Sequence, residues 1–371
     1  MNRKKFLGVA GGAILVVAGG YYLQSDKSNF VREDFKGNFP EKIPLTADEK
    51  KILFLASLAP SGHNTQPWFV QYIEPYHWII GNDKSKWLPG VDPTQRETVL
   101  SIGAFTQNLE YAASNLGYLC AFTILANNNQ DEQILSVKLT KASNAPKYNI
   151  EKIKQRRTIR SNYLSEALKK ADIDALVEGE RDSFHWMPNT TKPYQYINEQ
   201  TIEANRIQSY RDVAQKELAN WIRFSSKDAE KHGDGLTTAS MEIEGVSAWV
   251  LRNFYGKSSV MKKNFREQNI DTVRKQVAQS AGWLLITSKD NAVATLLDTG
   301  RRLQKLWLNI REKGIAIHPM TQILEETTTN AELNSAIGIK DPIQFILRTG
   351  YVKTYPQPVS LRRAVDEFVR R

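Results

Sequence analysis

The amino-acid sequence predicts an α+β protein made of two related halves, and three observations support this prediction. Apolar residues recur at helical spacing in several segments, and shorter β-like runs lie between these segments. Two of the β-like runs are joined by a short turn, which is typical of a hairpin. Residues of the first half also recur in the second half at one spacing of 197 (300 − 103). The matching sets are Gly103, Gln107, Leu109 and Gly117, and Gly300, Gln304, Leu306 and Gly314.

The first half is predicted to begin with a helix and a hairpin. Thr46 and Glu49 have the spacing of a capping box, so a helix is expected to begin at Thr46 and to end at Pro60. Residues 68–73 and 78–80 are then expected to form the two strands of the hairpin, because both runs are rich in β-formers and a turn separates them.

A second helix is predicted over residues 97–116, with Gly117 as its C-cap. Two further strands are expected at 119–126 and 135–139, where apolar runs and alternation replace the helical spacing. The second half is predicted to contain helices at 167–178, 208–221 and 271–277, a strand at 283–287 and a β-like run at 315–317.

The first 25 residues differ from the rest of the chain. A basic segment at 2–5 precedes a run of apolar and small residues at 6–18, which is the layout of an export signal or a short membrane anchor. The run is shorter than the ~20 apolar residues of a usual membrane-spanning helix. Residues 2–7 resemble a twin-arginine signal with Lys4 in place of the second arginine, which implies a periplasm-type compartment; a cytoplasmic location is the alternative. The predicted organisation is a leader at 1–25, a linker at 26–45, a first half at 46–150 and a second half at 151–371.

Composition excludes several classes of function. The net charge is +10, but the basic residues are spread along the chain, so an anionic ligand is favoured and no nucleic-acid partner is expected. The single cysteine, Cys120, excludes an internal disulfide and a thiolate metal cage. The five histidines lack metal-binding spacing, and the chain has no Gly-x-Ser-x-Gly or Gly-x-Gly-x-x-Gly motif. Metal sites, hydrolase triads and a Rossmann domain are therefore not expected.

The most informative stretch is the loop at 59–68, which reads Ala-Pro-Ser-Gly-His-Asn-Thr-Gln-Pro-Trp. Ser61 and Asn64 offer a hydroxyl and an amide, Gly62 permits close approach of the backbone, and the prolines stiffen the frame. These groups suit a flat, polar heterocycle, whereas a loop of this composition taken alone is more often a simple turn.

A second candidate site is the segment Arg156-Arg157-Thr158-Ile159-Arg160. Three guanidinium groups and a hydroxyl within five residues can surround a phosphate, because arginine presents a planar fork of donors and stays charged. A solvated basic turn is the alternative for such a segment alone. The chain also ends with a basic pair, Arg362 and Arg363, which is a common and weak motif.

Together these motifs resemble the nitroreductase family. The loop at 59–68 is similar to the family's flavin-contacting pattern Ala-Pro-Ser-Ser-x-Asn-x-Gln-Pro-Trp, with Gly62 at the second serine. The arginine segment resembles the Arg-x-Ser-x-Arg segment that grips the FMN phosphate and ribityl chain, and Thr158 stands for its serine. Arg362 and Arg363 match the terminal basic pair that reaches the same phosphate in family members.

A fourth segment, at 314–322, resembles the family loop whose backbone lies beside the N5 edge of the flavin. Thr321 and Gln322 replace the glutamate and glycine that many nitroreductases have there. The resemblance implies that FMN carries the chemistry without a catalytic side chain. It implies the cofactor-binding residues Pro60, Ser61, Gly62, Asn64, Gln66, Arg156, Arg157, Thr158, Arg160, Pro319, Met320, Thr321, Gln322, Arg362 and Arg363.

Each flavin motif occurs once in the chain: the loop only near residue 60 and the arginine segment only near residue 157. In homodimeric nitroreductases the two motifs of one site come from opposite subunits. The chain thus resembles the fused, Acg-type branch of the family. This resemblance implies a nitroreductase-like fold of two tandem halves, each with a mostly antiparallel sheet flanked by helices, which form an internal pseudo-dimer and a monomeric protein.

The implied function is an FMN-dependent oxidoreductase that moves hydride or electrons from a reduced nicotinamide to a small acceptor. Arg156, Arg160 and Arg362 are expected to hold the phosphate, and Ser61 and Asn64 the edge of the ring. An alternative is a protein that binds or sequesters FMN with little or no turnover, beneath a cover formed around residues 227–244; the residues at 321 and 322 favour it. A third alternative is a fold that retains no flavin.

Overall fold

The structure is a computed structural model that describes residues 25, 26, 32, 43–164 and 166–371. The predictions for residues 1–24 and for most of the linker lie outside the described residues. Within the described part of the chain, none of the helices combines the length and the apolar character that crossing a membrane requires.

The first sheet has five strands in the order β3-β4-β2-β1-β9. β1 (Trp68–Glu74) and β2 (His77–Asn82) pair antiparallel, which confirms the predicted hairpin. β3 (Tyr118–Ile124) and β4 (Gln133–Lys141) extend the sheet, also antiparallel. β9 (Val369–Arg370) comes from the end of the chain and pairs parallel with β1. The end of the second half therefore returns to the sheet of the first.

Two helices pack on this sheet, α1 (Ala47–Ser57) and α2 (Arg96–Asn115). The predicted capping box is confirmed: Glu49 donates its backbone N–H to the Thr46 hydroxyl at 3.2 Å, and its carboxylate accepts from the Thr46 N–H at 2.8 Å. α1 ends at Ser57, slightly before the predicted end at Pro60.

The second sheet is wholly antiparallel, with the order β5-β6-β8-β7. Its strands are β5 (Phe184–Pro188), β6 (Gly282–Thr287), β7 (Ile315–Pro319) and β8 (Ile343–Tyr351). β6 and β7 were predicted, whereas β5 and β8 were not. Both sheets agree with the predicted α+β class of two mostly antiparallel sheets flanked by helices.

The predicted continuous helix at 208–221 is wrong, because Arg211 breaks it. Arg211 has an extended backbone (φ −84°, ψ 101°), and its guanidinium donates to the Gly90 carbonyl at 2.6 Å and to Glu326 at 2.5 Å. The helices of this half are α3 (Glu151–Gln155), α4 (Lys170–Val177), α5 (Lys192–Tyr210), α6 (Asp212–Trp221), α7 (Ser226–His232), α8 (Gly245–Phe254), α9 (Lys257–Val260), α10 (Lys263–Val277), α11 (Val293–Ile310), α12 (Gln322–Glu325), α13 (Thr327–Asn330), α14 (Leu333–Ile337) and α15 (Val365–Phe368).

Helices α2 and α11 cross with their backbones in contact at Gly103 and Gly300. A Cβ atom on Gly103 would lie 2.2 Å from the carbonyl oxygen of Leu297, and one on Gly300 would lie 2.0 Å from that of Leu100. The two contacts are reciprocal, and Leu100 and Leu297 are separated by the same 197 residues (297 − 100) as the two glycines. The sequence repeat therefore coincides with the contact between the halves.

Two further members of the repeat have the same local role. Gly117 follows α2 with φ 84° and Gly314 follows the turn after α11 with φ 67°, and both values lie in the left-handed region that favours glycine. Each glycine leads directly into a strand, β3 or β7. The predicted C-cap at Gly117 is confirmed.

Candidate functional site

A cavity of about 890 Å³ lies between residues of the two halves. Its wall includes the loop at 60–64 and Glu97 from the first half, and Arg156, Trp307 and Thr321 from the second. Sites that hold a cofactor-sized ligand typically measure ~300–1,000 Å³, so the cavity is large enough for one such ligand.

The cavity brings together most of the residues that the sequence singled out. Those that line it are Pro60, Ser61, Gly62, Asn64, Arg156, Arg157, Thr158, Arg160, Pro319, Thr321, Gln322 and Arg362. The predicted cover around 227–244 contributes its last residues, 240–244, to the wall.

Gln66, Met320 and Arg363 lie behind the wall instead. Arg363 donates to the carbonyls of Gln66 at 2.6 Å and Trp68 at 2.8 Å, and its backbone N–H donates to the Gln66 side chain at 3.0 Å. Met320 is fully buried in the core beneath the second sheet. These residues fasten the chain end and β7 to the structure around the cavity, which suits a supporting role.

Asn64 uses its whole side chain to hold the segment that carries Arg362. Its amide nitrogen donates to the carbonyls of Gly235 and Leu361, both at 3.1 Å, and its oxygen accepts from Arg362 at 2.8 Å. Both ends of the amide are engaged in the structure, and the contact of Asn64 with a ring edge stays a prediction. Ser61 accepts from the backbone N–H of Gln66 at 3.0 Å and keeps its hydroxyl proton available to a ligand.

Arg156 and Arg362 form a pair of buried guanidinium groups. Both donate to the carbonyl oxygen of Leu58, at 3.3 Å and 3.1 Å, and Arg156 also lies over the Trp307 ring at 4.7 Å. Nε and Nη1 of Arg156 and Nε of Arg362 are buried without a hydrogen-bond partner among the described residues. Unsatisfied buried donors are costly, so these atoms point to a missing acceptor.

Among the residues that the structure describes, no acid balances the charges of this pair. Burial and the charge of Arg32 lower the pKa of Arg156 to about 9, and burial together with Arg156 and Arg32 lowers the pKa of Arg362 well below its usual value. The sequence neighbours Arg157 and Arg363 pair with carboxylates, whereas Arg156 and Arg362 form no ion pair with any residue that the structure describes. Uncompensated positive charge of this kind fits an anion such as a phosphate.

Arg157 and Arg160 belong to a different group, which is centred on Glu242. Arg157 pairs with the Glu242 carboxylate at 3.4 Å, and the backbone N–H of Arg160 donates to it at 3.1 Å. The guanidinium of Arg160 donates to His318 Nε2 at 2.7 Å and to the Ser240 carbonyl at 3.0 Å. The structure therefore does not group Arg160 with Arg156 and Arg362, as the phosphate prediction required.

Two histidines in the cavity wall were not predicted: His318 is buried, and His63 is half-buried with its Nδ1 atom covered. His63 has φ 45°, and burial followed by the charge of Arg160 lowers its pKa to about 4. Burial, Arg160 and Arg348 lower the pKa of His318 well below its usual value. Because Arg160 donates to His318 Nε2, the proton of this neutral ring lies on Nδ1. Both histidines lie inside segments that the sequence singled out, at 59–68 and 314–322, but neither position was itself predicted.

Glu97 and Glu325 are also cavity residues that sequence reasoning missed. Glu97 Oε2 would lie 3.5 Å from a Cβ atom on Gly62, an ordinary contact distance, so this carboxylate lies beside the loop at 60–64. The Thr321 hydroxyl lies 3.2 Å from Glu97 Oε1 and 3.0 Å from Glu325 Oε1. The two glutamates come from opposite halves of the chain, and folding alone brings them together.

Replacement of His63 with asparagine, which tolerates positive φ, is expected to flatten the acid dependence of stability. The folded-state pKa of His63, about 4, lies below the unfolded value of 6.5. The neutral ring therefore contributes stability that is complete above pH 6.5 and is lost as the pH falls to about 4, by up to ~1.4 kcal/mol per pH unit. Urea unfolding of wild type and His63→Asn from pH 7.5 to 4 measures this slope, and equal slopes would contradict the neutral histidine.

The sequence was compared with known families and proteins. The profile of the nitroreductase family matches residues 153–351. The chain is 22% identical over 314 residues to a protein of Serratia sp. described as "Probable NAD(P)H nitroreductase PigM", covering 80% of this chain and 86% of that protein. It is 23% identical over 339 residues to acg of Mycobacterium tuberculosis, also assigned as an NAD(P)H nitroreductase, covering 88% of this chain and 97% of that protein.

The solved structures have lower sequence identity to this chain than these two relatives have. A protein assigned as a nitroreductase from Anabaena variabilis covers 90% of this chain and 95% of its own, with 12% identity and a TM-score of 0.41. The FMN-dependent nitroreductase NfnB from Mycobacterium smegmatis, solved with NADPH, covers 60% of this chain and 96% of its own, with 14% identity and a TM-score of 0.37.

The family match spans the arginine segment and all four strands of the second sheet. It covers more than half of the 371 residues, and the two relatives align with most of their own length. The resemblance inferred from the flavin motifs is thereby confirmed, and the chain belongs to the nitroreductase family.

Proposed function

We propose that this protein is an FMN-dependent oxidoreductase that passes electrons from a reduced nicotinamide to a small acceptor. The observation that carries this proposal is the Arg156–Arg362 pair, which places unpaired buried donors and uncompensated positive charge at a large cavity. A phosphate monoester offers about 1.5 to 2 negative charges and three acceptor oxygens, which complement these groups.

Several further residues fit the rest of FMN. The Thr158 hydroxyl lies between the arginines in sequence and has no hydrogen-bond partner among the described residues, so it is available to the phosphate or the ribityl chain. Ser61 offers a hydroxyl proton, and Trp307 and Phe345 offer apolar surface for a flat ring. FMN, when bound, supplies the hydride or electron transfer, while the protein supplies orientation and charge.

The choice of donor is supported by the two relatives whose names specify NAD(P)H. The sequence lacks a dinucleotide-binding glycine motif outside its apolar leader, so a nicotinamide is expected to dock transiently in the open part of the cavity. The acceptor is proposed only as a small molecule that enters the same cavity.

We also propose that the two halves form an internal pseudo-dimer and that the chain acts as a monomer. The reciprocal contact of Gly103 and Gly300 supports this proposal, because a two-fold interface places equivalent residues against each other. The cavity is lined from both halves, so one chain supplies one complete site. The boundary at residue 150 remains a prediction, and β9 joins the first sheet although it follows the second half.

Export or membrane anchoring by the leader is a further part of the proposal, supported by the basic and apolar pattern at 2–18. Ser25 and Asp26, at the boundary between the predicted leader and linker, are held by α7 and α8: Asp26 accepts from the Ser226 N–H at 2.5 Å, and the Trp249 indole donates to Ser25 at 2.8 Å. A fusion of residues 1–45 to a reporter that is active only after export tests this part, and an inactive reporter would contradict it.

Anaerobic addition of NADPH or NADH to the purified chain tests the oxidoreductase activity. Flavin absorbance bands are expected to bleach and to return when an acceptor is added. Bands that persist with both nucleotides would support the sequestering alternative. A chain that shows no flavin bands, even after incubation with FMN, would overturn the proposed function.

A further inference from the structure

A hydroxyl and two carboxylates form a short chain of contacts in the wall of the cavity. The Thr321 hydroxyl lies 3.2 Å from Glu97 Oε1 and 3.0 Å from Glu325 Oε1. Glu97 comes from the first turn of α2, whereas Thr321 directly precedes α12 and Glu325 is its last residue. All three residues line the cavity, so a ligand inside it can reach them.

The two hydrogen bonds of Thr321 with Glu97 and Glu325 require one more proton than the threonine hydroxyl and two ionised glutamates have. A threonine hydroxyl has a single proton to donate, and an ionised carboxylate only accepts. The Thr321 hydroxyl can therefore donate to one carboxylate only, and the other contact is a hydrogen bond only if that carboxyl donates to the threonine oxygen. Two contacts at 3.0 and 3.2 Å thus imply that the two glutamates share one proton.

The surrounding charges place this proton on Glu325. Glu97 pairs with Arg96 at 3.0 Å, whereas Glu325 accepts from the neutral amide of Gln208 at 2.6 Å and forms no ion pair with a described residue. Burial and the charge of Glu97 raise the pKa of Glu325 to about 8, against the smaller opposing effects of its hydrogen bonds and Arg96. Asp92, the other acid close to Glu97, also has a raised pKa, of about 7, because of burial and Glu97.

We propose that Glu97, Thr321 and Glu325 form a proton relay that supplies the proton taken up by the acceptor during its reduction. This inference rests on the proposed function, in which the reduced nicotinamide provides the hydride equivalent. An acceptor that gains a hydride needs one further proton to leave as a neutral product. The O–H bond of the shared carboxyl breaks, a new bond to hydrogen forms on the acceptor, and water returns a proton to the carboxylate.

The test compares an acceptor that takes up protons when it is reduced with one that does not. Wild type, Glu325→Gln and Thr321→Val are loaded with FMN and reduced photochemically, so that no nicotinamide is needed. Each reduced protein is then mixed with ferricyanide, which takes up an electron alone, or with a water-soluble quinone, which takes up protons. Glutamine is isosteric with a protonated glutamic acid and keeps the hydrogen bonds to Gln208 and Thr321, and valine keeps the shape of threonine.

General acid catalysis typically contributes ~10²–10⁴-fold to a rate. The ratio of the quinone rate to the ferricyanide rate is therefore expected to fall by at least about 10-fold in both variants, and the quinone rate is expected to lose its fall above about pH 8. Glu326→Gln is the matched control, because Glu326 is the next residue but faces Arg211 at 2.5 Å instead of the cavity. Its rates with both acceptors are expected to equal those of wild type.

Infrared spectroscopy provides a second readout that does not depend on turnover. The wild-type chain is expected to show a protonated-carboxyl band that disappears as the pH rises through about 8 and is missing in Glu325→Gln. The absence of this band, or an unchanged ratio of the quinone rate to the ferricyanide rate in Glu325→Gln, would overturn the relay. Failure to bind flavin would overturn the proposed function instead, and the infrared band would still report whether the glutamates share a proton.

Discussion

Replacement of Arg156 with methionine is expected to weaken FMN binding by at least about 100-fold. Nε and Nη1 of Arg156 are both unpaired in the structure and are available to phosphate oxygens. Hydrogen bonds to charged groups contribute ~1.5–3 kcal/mol each, and 1.4 kcal/mol is about a tenfold change in affinity. Titration of the flavin-free protein with FMN, followed by flavin fluorescence, measures the effect.

The same replacement is expected to leave the flavin-free protein at least as stable as wild type. Burial and the charge of Arg32 lower the pKa of Arg156, and Arg156 in turn lowers the pKa of Arg362, so one of these charges is removed at little cost. The Leu58 carbonyl keeps its contact with Arg362 at 3.1 Å, and methionine still covers the Trp307 ring. Retained stability combined with lost affinity identifies a ligand-binding residue, as opposed to a structural one.

Arg363→Met is the control, and it is expected to lose stability. The guanidinium of Arg363 donates to the carbonyls of Gln66 and Trp68 and does not line the cavity. Its loss leaves buried acceptors unsatisfied, which costs ~1–3 kcal/mol of unfolding free energy. Urea unfolding of the flavin-free variants measures this difference. If Arg156→Met lost as much stability as Arg363→Met, the Arg156–Arg362 pair would not be a preformed anion site.

Addition of one methyl group at the crossing of α2 and α11 is expected to destabilise the folded protein. In an ordinary helix interior, Gly→Ala raises stability by up to ~1 kcal/mol. At Gly103 the new Cβ atom would lie 2.2 Å from the Leu297 carbonyl, so the helices must separate. Gly103→Ala is therefore expected to lower the unfolding free energy by ~1–3 kcal/mol, the usual cost of overpacking.

Gly256→Ala is the matched control, because a Cβ atom at Gly256 would meet nothing within 4 Å in the described structure. Its effect is expected to stay within ~0.5 kcal/mol. Gly300→Ala is expected to match Gly103→Ala, since its Cβ would lie 2.0 Å from the Leu100 carbonyl. The double variant is expected to be non-additive, because the two glycines touch each other. Equal stability of Gly103→Ala and Gly256→Ala would contradict the close helix contact.

The sequence predicted the parts of the fold whose signals are local. The capping box at Thr46, the hairpin and the left-handed glycine at 117 each depend on a few neighbouring residues. The break at Arg211 was missed because it depends on the distant partners Gly90 and Glu326. β8 was missed although residues 343–347 read Ile-Gln-Phe-Ile-Leu, whereas β5 has no strong pattern of its own and is a strand because it pairs with β6.

In the site, too, local motifs were predictable from the sequence and long-range contacts were not. The loop at 60–64 and the segment at 156–160 were found as motifs, and the structure places both at one cavity. The different roles of the arginines were not predictable, since they depend on Glu242, which is far away in sequence. Glu242 pairs with the guanidinium of Arg157 and accepts from the backbone N–H of Arg160. Glu97 and Glu325 likewise have no sequence signal, because only the packing of the two halves makes them neighbours.

Native mass spectrometry of the full chain, purified from a flavin-replete host, tests directly whether a single chain forms one complete FMN site. One polypeptide of about 42.2 kDa, less any cleaved leader, is expected to carry one FMN, and Arg156→Met is expected to give the same monomer without it. This result would support three parts of the proposal together: one flavin site per chain, a monomeric pseudo-dimer and a phosphate site at Arg156 and Arg362. A monomer that never retains FMN, or a dimer as the smallest species that carries it, would contradict the proposed site.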